Sequence, residues 1–65
     1  MTLEELRYRI EKIKEVAHED GIAHSHEDDL REDVLLAIAD GAPNAIELAR
    51  EVLKTGEIEF ERRCT

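Results

Sequence analysis

The 65-residue sequence has no tryptophan, one phenylalanine and one tyrosine. Any core must therefore be built from leucine, isoleucine, valine and alanine. There is a single cysteine, Cys64, which rules out an internal disulfide. A secreted chain this short usually relies on several. No basic stretch leads into an apolar one and no long apolar run exists, so neither a signal peptide nor a membrane span is expected, and a reducing cytoplasm is the expected compartment. Bases are scarce as well, 9 against 17 acids, for a formal net charge of −8. Phosphate backbones would repel such a chain, which argues against direct nucleic-acid binding. No glycine-rich phosphate loop is present. Cys64 is next to last, where chain ends fray, and Ser25 is better used as a helix cap. The sequence therefore points away from an enzyme, and no cofactor is expected.

What is present is helical grammar. The segment Ser25 to Gly41, SHEDDLREDVLLAIADG, reads as the central helix of a bundle. Ser25 suits an N-cap, with Asp28 reaching back in a capping box. Glu27, Asp28 and Asp29 fill the first turn, where the helix dipole favours carboxylates. Leu30, Val34, Ala37 and Ile38 form one stripe at helical spacing, which Leu35 widens. Gly41 can close the helix in the left-handed conformation. Leu36 projects opposite the stripe. Either its helix is central in the bundle or covered there by a second chain, or it is one exposed leucine of the ordinary kind.

Thr2 to about His18 reads as the first helix, capped by Thr2 with Glu5. Its seam is Leu3, Leu6, Ile10, Ile13 and Ala17, the spacing of an antiparallel bundle. Arg7, Arg9, Lys12 and Lys14 alternate with Glu4, Glu5, Glu11 and Glu15 over a solvated face. Tyr8 lies opposite the seam, either alone on the surface or at an interface. Gly21 is read as the end of this helix, and Ile22 as a staple onto the next. After the turn Ala42-Pro43-Asn44, the third helix is capped by Asn44 with Glu47. Ala45, Ile46, Leu48, Ala49, Val52 and Leu53 give it a broad apolar face, and Gly56 stops it. The fold expected is an all-α small three-helix bundle over residues 1–56, with helices at about 2–19, 25–40 and 43–55. Residues 57–65 form an extended C-terminal arm. In the arm, Ile58 and Phe60 alternate with Glu57, Glu59 and Glu61. That is strand spacing, for an arm lying on its own bundle or against a second copy or partner.

The segment AIELAREVLKTGEIEFERR, Ala45 to Arg63, resembles a pattern in small uncharacterised phage and prophage proteins. In these a helix ending L-K-T is followed by an I-x-F-x-R tail, and the preceding DVLLAIADG is similar too. The resemblance covers about the last half of the chain. It implies a phage-encoded accessory protein of the host cytoplasm and carries no activity and no functional residues.

Three features are candidates for function. His18, His24 and His26 stand near Asp20 and the acids of the central helix, a weak spacing for zinc, a place for a pH-dependent contact, or simply a solvated loop. Asp28, Asp29, Glu32 and Asp33, with Glu27, Glu19 and Asp20, make an acidic face. It is either a solubilising, helix-stabilising surface or a docking surface for a basic host protein, in the manner of an inhibitor or nucleic-acid mimic. Leu36, Ile58 and Phe60 are candidate partner contacts. A chain this small buries only about 60% of its unfolded surface, and oligomerisation is a common remedy. The expectation is a protein-interaction module that self-associates as a homodimer.

Overall fold

The computed structural model describes residues 1–62. It holds three α-helices, α1 (Leu3–Glu15), α2 (Asp20–Ala39) and α3 (Ala45–Leu53), followed by a 3-10 turn, η1 (Lys54–Glu57). Each helix packs on the other two. The all-α three-helix bundle is therefore the observed fold, and no strand occurs among the described residues. No helix among them is long and apolar enough to cross a membrane.

α1 forms as its sequence predicts. The Thr2 hydroxyl accepts the Glu5 backbone N–H at 3.1 Å, and Leu6, Ile10 and Ile13 are buried. Leu3 is partly buried against them. α1 ends early, at Glu15, and the chain turns over Val16 to Glu19, closed by the Glu19 N–H on the Val16 carbonyl at 2.9 Å.

α2 departs most from expectation. It begins at Asp20, not Ser25. Gly21, read as a stop, sits in its first turn, and Ser25 is an exposed mid-helix residue and not a cap. Ile22, read as a staple, is exposed, while its neighbour Ala23 is fully buried. The reason is the buried stripe. Ala23, Glu27, Leu30 and Val34 recur at steps of four, three and four, and all are buried. Extending the helix back to Asp20 adds a full turn to that stripe. The gain outweighs the helix cost of Gly21 and Ser25, about 1 kcal/mol or less each. Leu35, expected to widen the stripe, is instead 66% exposed.

α2 closes as expected. Gly41 takes φ +87°, the Ala42 N–H reaches the Ala37 carbonyl at 3.0 Å, and the Gly41 N–H reaches the Ile38 carbonyl at 3.0 Å. This is a Schellman closure, and it requires a residue at ease with positive φ.

Asn44 precedes α3, but its side chain does not cap. Its amide donates to the Met1 carbonyl at 3.2 Å and ties the α2–α3 turn to the N-terminus. α3 is shorter than expected and tightens into η1, which takes in Gly56 without a left-handed residue. Thr55 is thereby turned fully inward, its hydroxyl donating to the Val52 carbonyl at 2.9 Å. The core is Leu6, Ile10, Ile13, Ala23, Leu30, Val34, Leu48 and Val52.

Candidate interaction surfaces

The tail folds back on its own bundle. Ile58 is extended, and Ile58 and Phe60 pack half-buried against the core. What holds them is Arg62, which sequence reading passed over. Its Nε donates to the Glu27 carboxylate at 3.0 Å, and Nη2 donates to the same carboxylate at 3.1 Å. Nη2 also donates to the Thr55 carbonyl at 2.7 Å and the Ile58 carbonyl at 2.8 Å. Nη1 reaches the Phe60 carbonyl at 3.4 Å, and the guanidinium carbon lies 3.9 Å from the centre of the Phe60 ring. The tail thus curls around one planar cation, whose fork of donors suits carboxylate and carbonyls together. The Glu61 N–H adds a bond to Asp20 at 3.1 Å.

Glu27, read as a first-turn surface acid, is buried. Burial pushes its carboxyl up, but the hydrogen bonds and charge of Arg62 outweigh this, with help from the Arg31 charge and the Thr55 hydroxyl, and hold it below its ordinary value. Arg31 leans into the same cluster, donating from Nη2 to the Thr55 hydroxyl at 3.1 Å. Its buried Nε has no acceptor among the described residues. A buried carboxylate needs such partners, since an unpaired one would cost several kcal/mol.

Other acids are also taken up internally. Arg9 donates to Asp33 at 2.7 Å, joining α1 to α2. Glu51 lies nearly buried between Lys54 at 3.0 Å and Arg7 at 3.3 Å. The Lys54 hydrogen bond, with Arg7, holds its carboxyl below the ordinary value against the push of burial. Of the acidic residues singled out on α2, Asp28, Asp29 and Glu32 keep exposed positions, and Asp33 is exposed but paired.

The histidines do not converge. His18 is exposed beside Glu19 at 3.6 Å, His24 faces Asp28 at 3.4 Å one turn along α2, and His26 is exposed. No three His, Cys, Asp or Glu side chains among the described residues are placed to hold a metal ion. Cys64 and Arg63 lie outside the described residues.

The clearest surface feature is apolar. Leu35 and Leu36 on α2 and Ile46 and Leu53 on α3 are each more than half exposed, at 66%, 56%, 65% and 66%. Between the two helices runs a groove of about 220 Å³, walled by Val34, Leu35 and Ile38 on one side and Ala49, Val52 and Leu53 on the other, with Arg31 beside them. Sequence reading merged two stripes of α3 into one broad face. Leu48 and Val52 point inward, while Ile46 and Leu53, seven residues apart, share the outer side. That i,i+7 pair was the available signal. Tyr8 is exposed on the opposite wall of the bundle, with the Lys12 ammonium 5.1 Å from its ring centre.

In comparison with known proteins, no family model matches the chain, and neither curated proteins nor solved structures show significant similarity to it.

Proposed function

We propose that this chain is a protein-interaction module that self-associates as a homodimer, using the outer face of α2 and α3 as its contact. The observation that carries the reading is the exposure of Leu35 on α2 and of Ile46 and Leu53 on α3, with Leu35 and Leu53 walling one apolar groove and Leu36 exposed further round α2. Single exposed leucines are ordinary, but a contiguous apolar patch on a small domain marks a contact surface. A stable interface takes about 800 Å² from each partner, roughly one-sixth of the 4571 Å² that the described residues expose. Ile58 and Phe60, proposed from sequence as partner contacts, are less suited, because Arg62 holds them against the bundle. Leu36 retains that role. The phage resemblance implies a small accessory protein and adds no activity of its own.

Light scattering behind a sizing column tests this. At tens of micromolar the expected mass is twice the 7.5 kDa of one chain, and Leu35→Asp with Leu53→Asp is expected to return the protein to one chain's mass while leaving its helix signal intact. A wild-type monomer at that concentration overturns the reading. Docking of a basic host protein on Asp28, Asp29 and Glu32 has less support, since Glu27 and Asp33 are already engaged by Arg62 and Arg9.

A further inference from the structure

Besides Arg31, which lines the groove but is turned towards Thr55, the apolar face is flanked by two exposed charges of opposite sign, one on each helix. On α2, Glu32 lies three residues before Leu35 and four before Leu36. On α3, Arg50 lies four residues after Ile46 and three before Leu53. Residues three and four apart on a helix are surface neighbours. Each charge therefore sits beside the exposed apolar residues of its own helix, and both are exposed. Neither makes an ion pair among the described residues, whereas Arg7, Arg9, Lys12, Lys14, Lys54 and Arg62 all do. Glu32 thus stands beside the exposed leucines of α2, and Arg50 beside Ile46 and Leu53 of α3.

We propose that the second copy docks about a two-fold axis with its α3 over α2 of the first, so that Glu32 of each copy meets Arg50 of the other. This rests on the reading of the α2–α3 face as the self-association surface. A two-fold interface is self-complementary: whatever residue i of one copy touches, the same residue of the other copy touches in return. One acid and one base on the same face therefore give two opposite-charge pairs at once. The competing arrangement lays α2 on α2. That brings Asp28, Asp29 and Glu32 against their own copies on a helix whose one base, Arg31, is turned towards Thr55. Like charges at close quarters disfavour such a contact. Packing α3 over α2 also sets Leu35 of one copy against Ile46 and Leu53 of the other, with Leu36 at the edge of the contact beyond Glu32. Charge here selects the arrangement, while the leucines supply the association.

Charge reversal tests the arrangement with the full chain. Glu32→Arg alone and Arg50→Glu alone each turn two attractive pairs into two repulsive ones. Each is expected to weaken homodimerisation about tenfold. Mixing the two variants is expected to give a heterodimer at near wild-type affinity, because each then meets its opposite. Native mass spectrometry of the mixture, with one variant isotope-labelled, reads this directly. Both positions are exposed, Glu32 within α2 and Arg50 in the last turn of α3, so circular dichroism should show folded variants. Homodimers of either variant as tight as the wild type, or a mixture with no preferred heterodimer, overturn the arrangement. If Leu35→Asp still dissociates the dimer in that case, the self-association surface stands and only the register falls. If the wild type is itself a monomer, the two fall together.

Discussion

At the scale of single residues, Arg62 and Glu27 do the most. One guanidinium satisfies a buried carboxylate and three backbone carbonyls, and so fixes eight residues of chain that would otherwise have little to hold them. Arg62→Ala leaves the Glu27 carboxylate with only the Arg31 charge and the Thr55 hydroxyl, and takes the guanidinium donor away from the carbonyls of Thr55 and Ile58. The expected loss is about 1–3 kcal/mol, the range for a charged hydrogen-bonded group losing its partner, or roughly 5–20 °C in melting temperature for a domain this small. Arg62→Lys should recover less than half, because an ammonium lacks the planar fork. Melting followed by circular dichroism reads both, and an alanine variant as stable as the wild type would show the hook to be ornamental.

The same pair sets a pH dependence. Glu27 titrates below its ordinary 4.5 in the folded state, so the unfolded chain takes up its proton first. Its contribution is complete at neutral pH, begins to fall as the pH drops through about 4.5, and is gone once the pH is below the folded-state value. Glu51, lowered chiefly by the Lys54 hydrogen bond, acts in the same direction. Melting temperature should therefore decline from pH 6 to pH 3 in the wild type, and decline less in Glu27→Gln.

At the scale of elements, the glycines separate the two readings of α2. A glycine that stops a helix in the left-handed conformation resists alanine, whereas one inside a helical turn gains from it. Gly41 has φ +87°, so Gly41→Ala is expected to cost about 1 kcal/mol. Gly21 lies in the first turn of α2 with open space where a Cβ would stand. Gly21→Ala is therefore expected to stabilise by about 0.4–1 kcal/mol. Thermal melts of the two variants should move in opposite directions. A destabilised Gly21→Ala would restore the shorter helix that the caps alone suggest. The disagreement at this end of α2 has a plain cause. Ser25 and the acids after it fit a first turn so well that capping preference alone places the boundary there. Yet Ser25 is one exposed residue, and the position two beyond it belongs to the core stripe. A glutamate at a core position conceals the stripe from any reading based on hydrophobic spacing, and its distant partner, Arg62, is the main group that makes the position tolerable.

At the scale of the whole molecule, the core is eight residues, three of them alanine or valine and none aromatic. Leu35, Leu36, Ile46 and Leu53 remain outside it. A domain of this size carries only a few kcal/mol of net stability, and covering those four residues in a dimer would add to it by mass action. The melting temperature of the wild type is expected to rise with protein concentration, by a few degrees per tenfold at most, while that of Leu35→Asp stays constant. A wild-type melt independent of concentration across the micromolar range would argue for a self-sufficient monomer.

The helix count, the Thr2 cap, the Gly41 closure and the inward stripes Leu6–Ile10–Ile13 and Leu30–Val34 were legible in the sequence, because each depends on residues within a turn or two of one another. The all-α class follows from these local agreements alone. The start of α2, the burial of Glu27, the curl of the tail around Arg62 and the exposure of Leu35 and Leu53 were decided by the tertiary structure. Each turns on a meeting between residues far apart in the chain, Arg62 with Glu27 at a separation of 35 positions among them. Spacing along one helix says which residues share a side. It does not say which side the other helices will leave uncovered, and in this protein that uncovered side is the functional surface proposed.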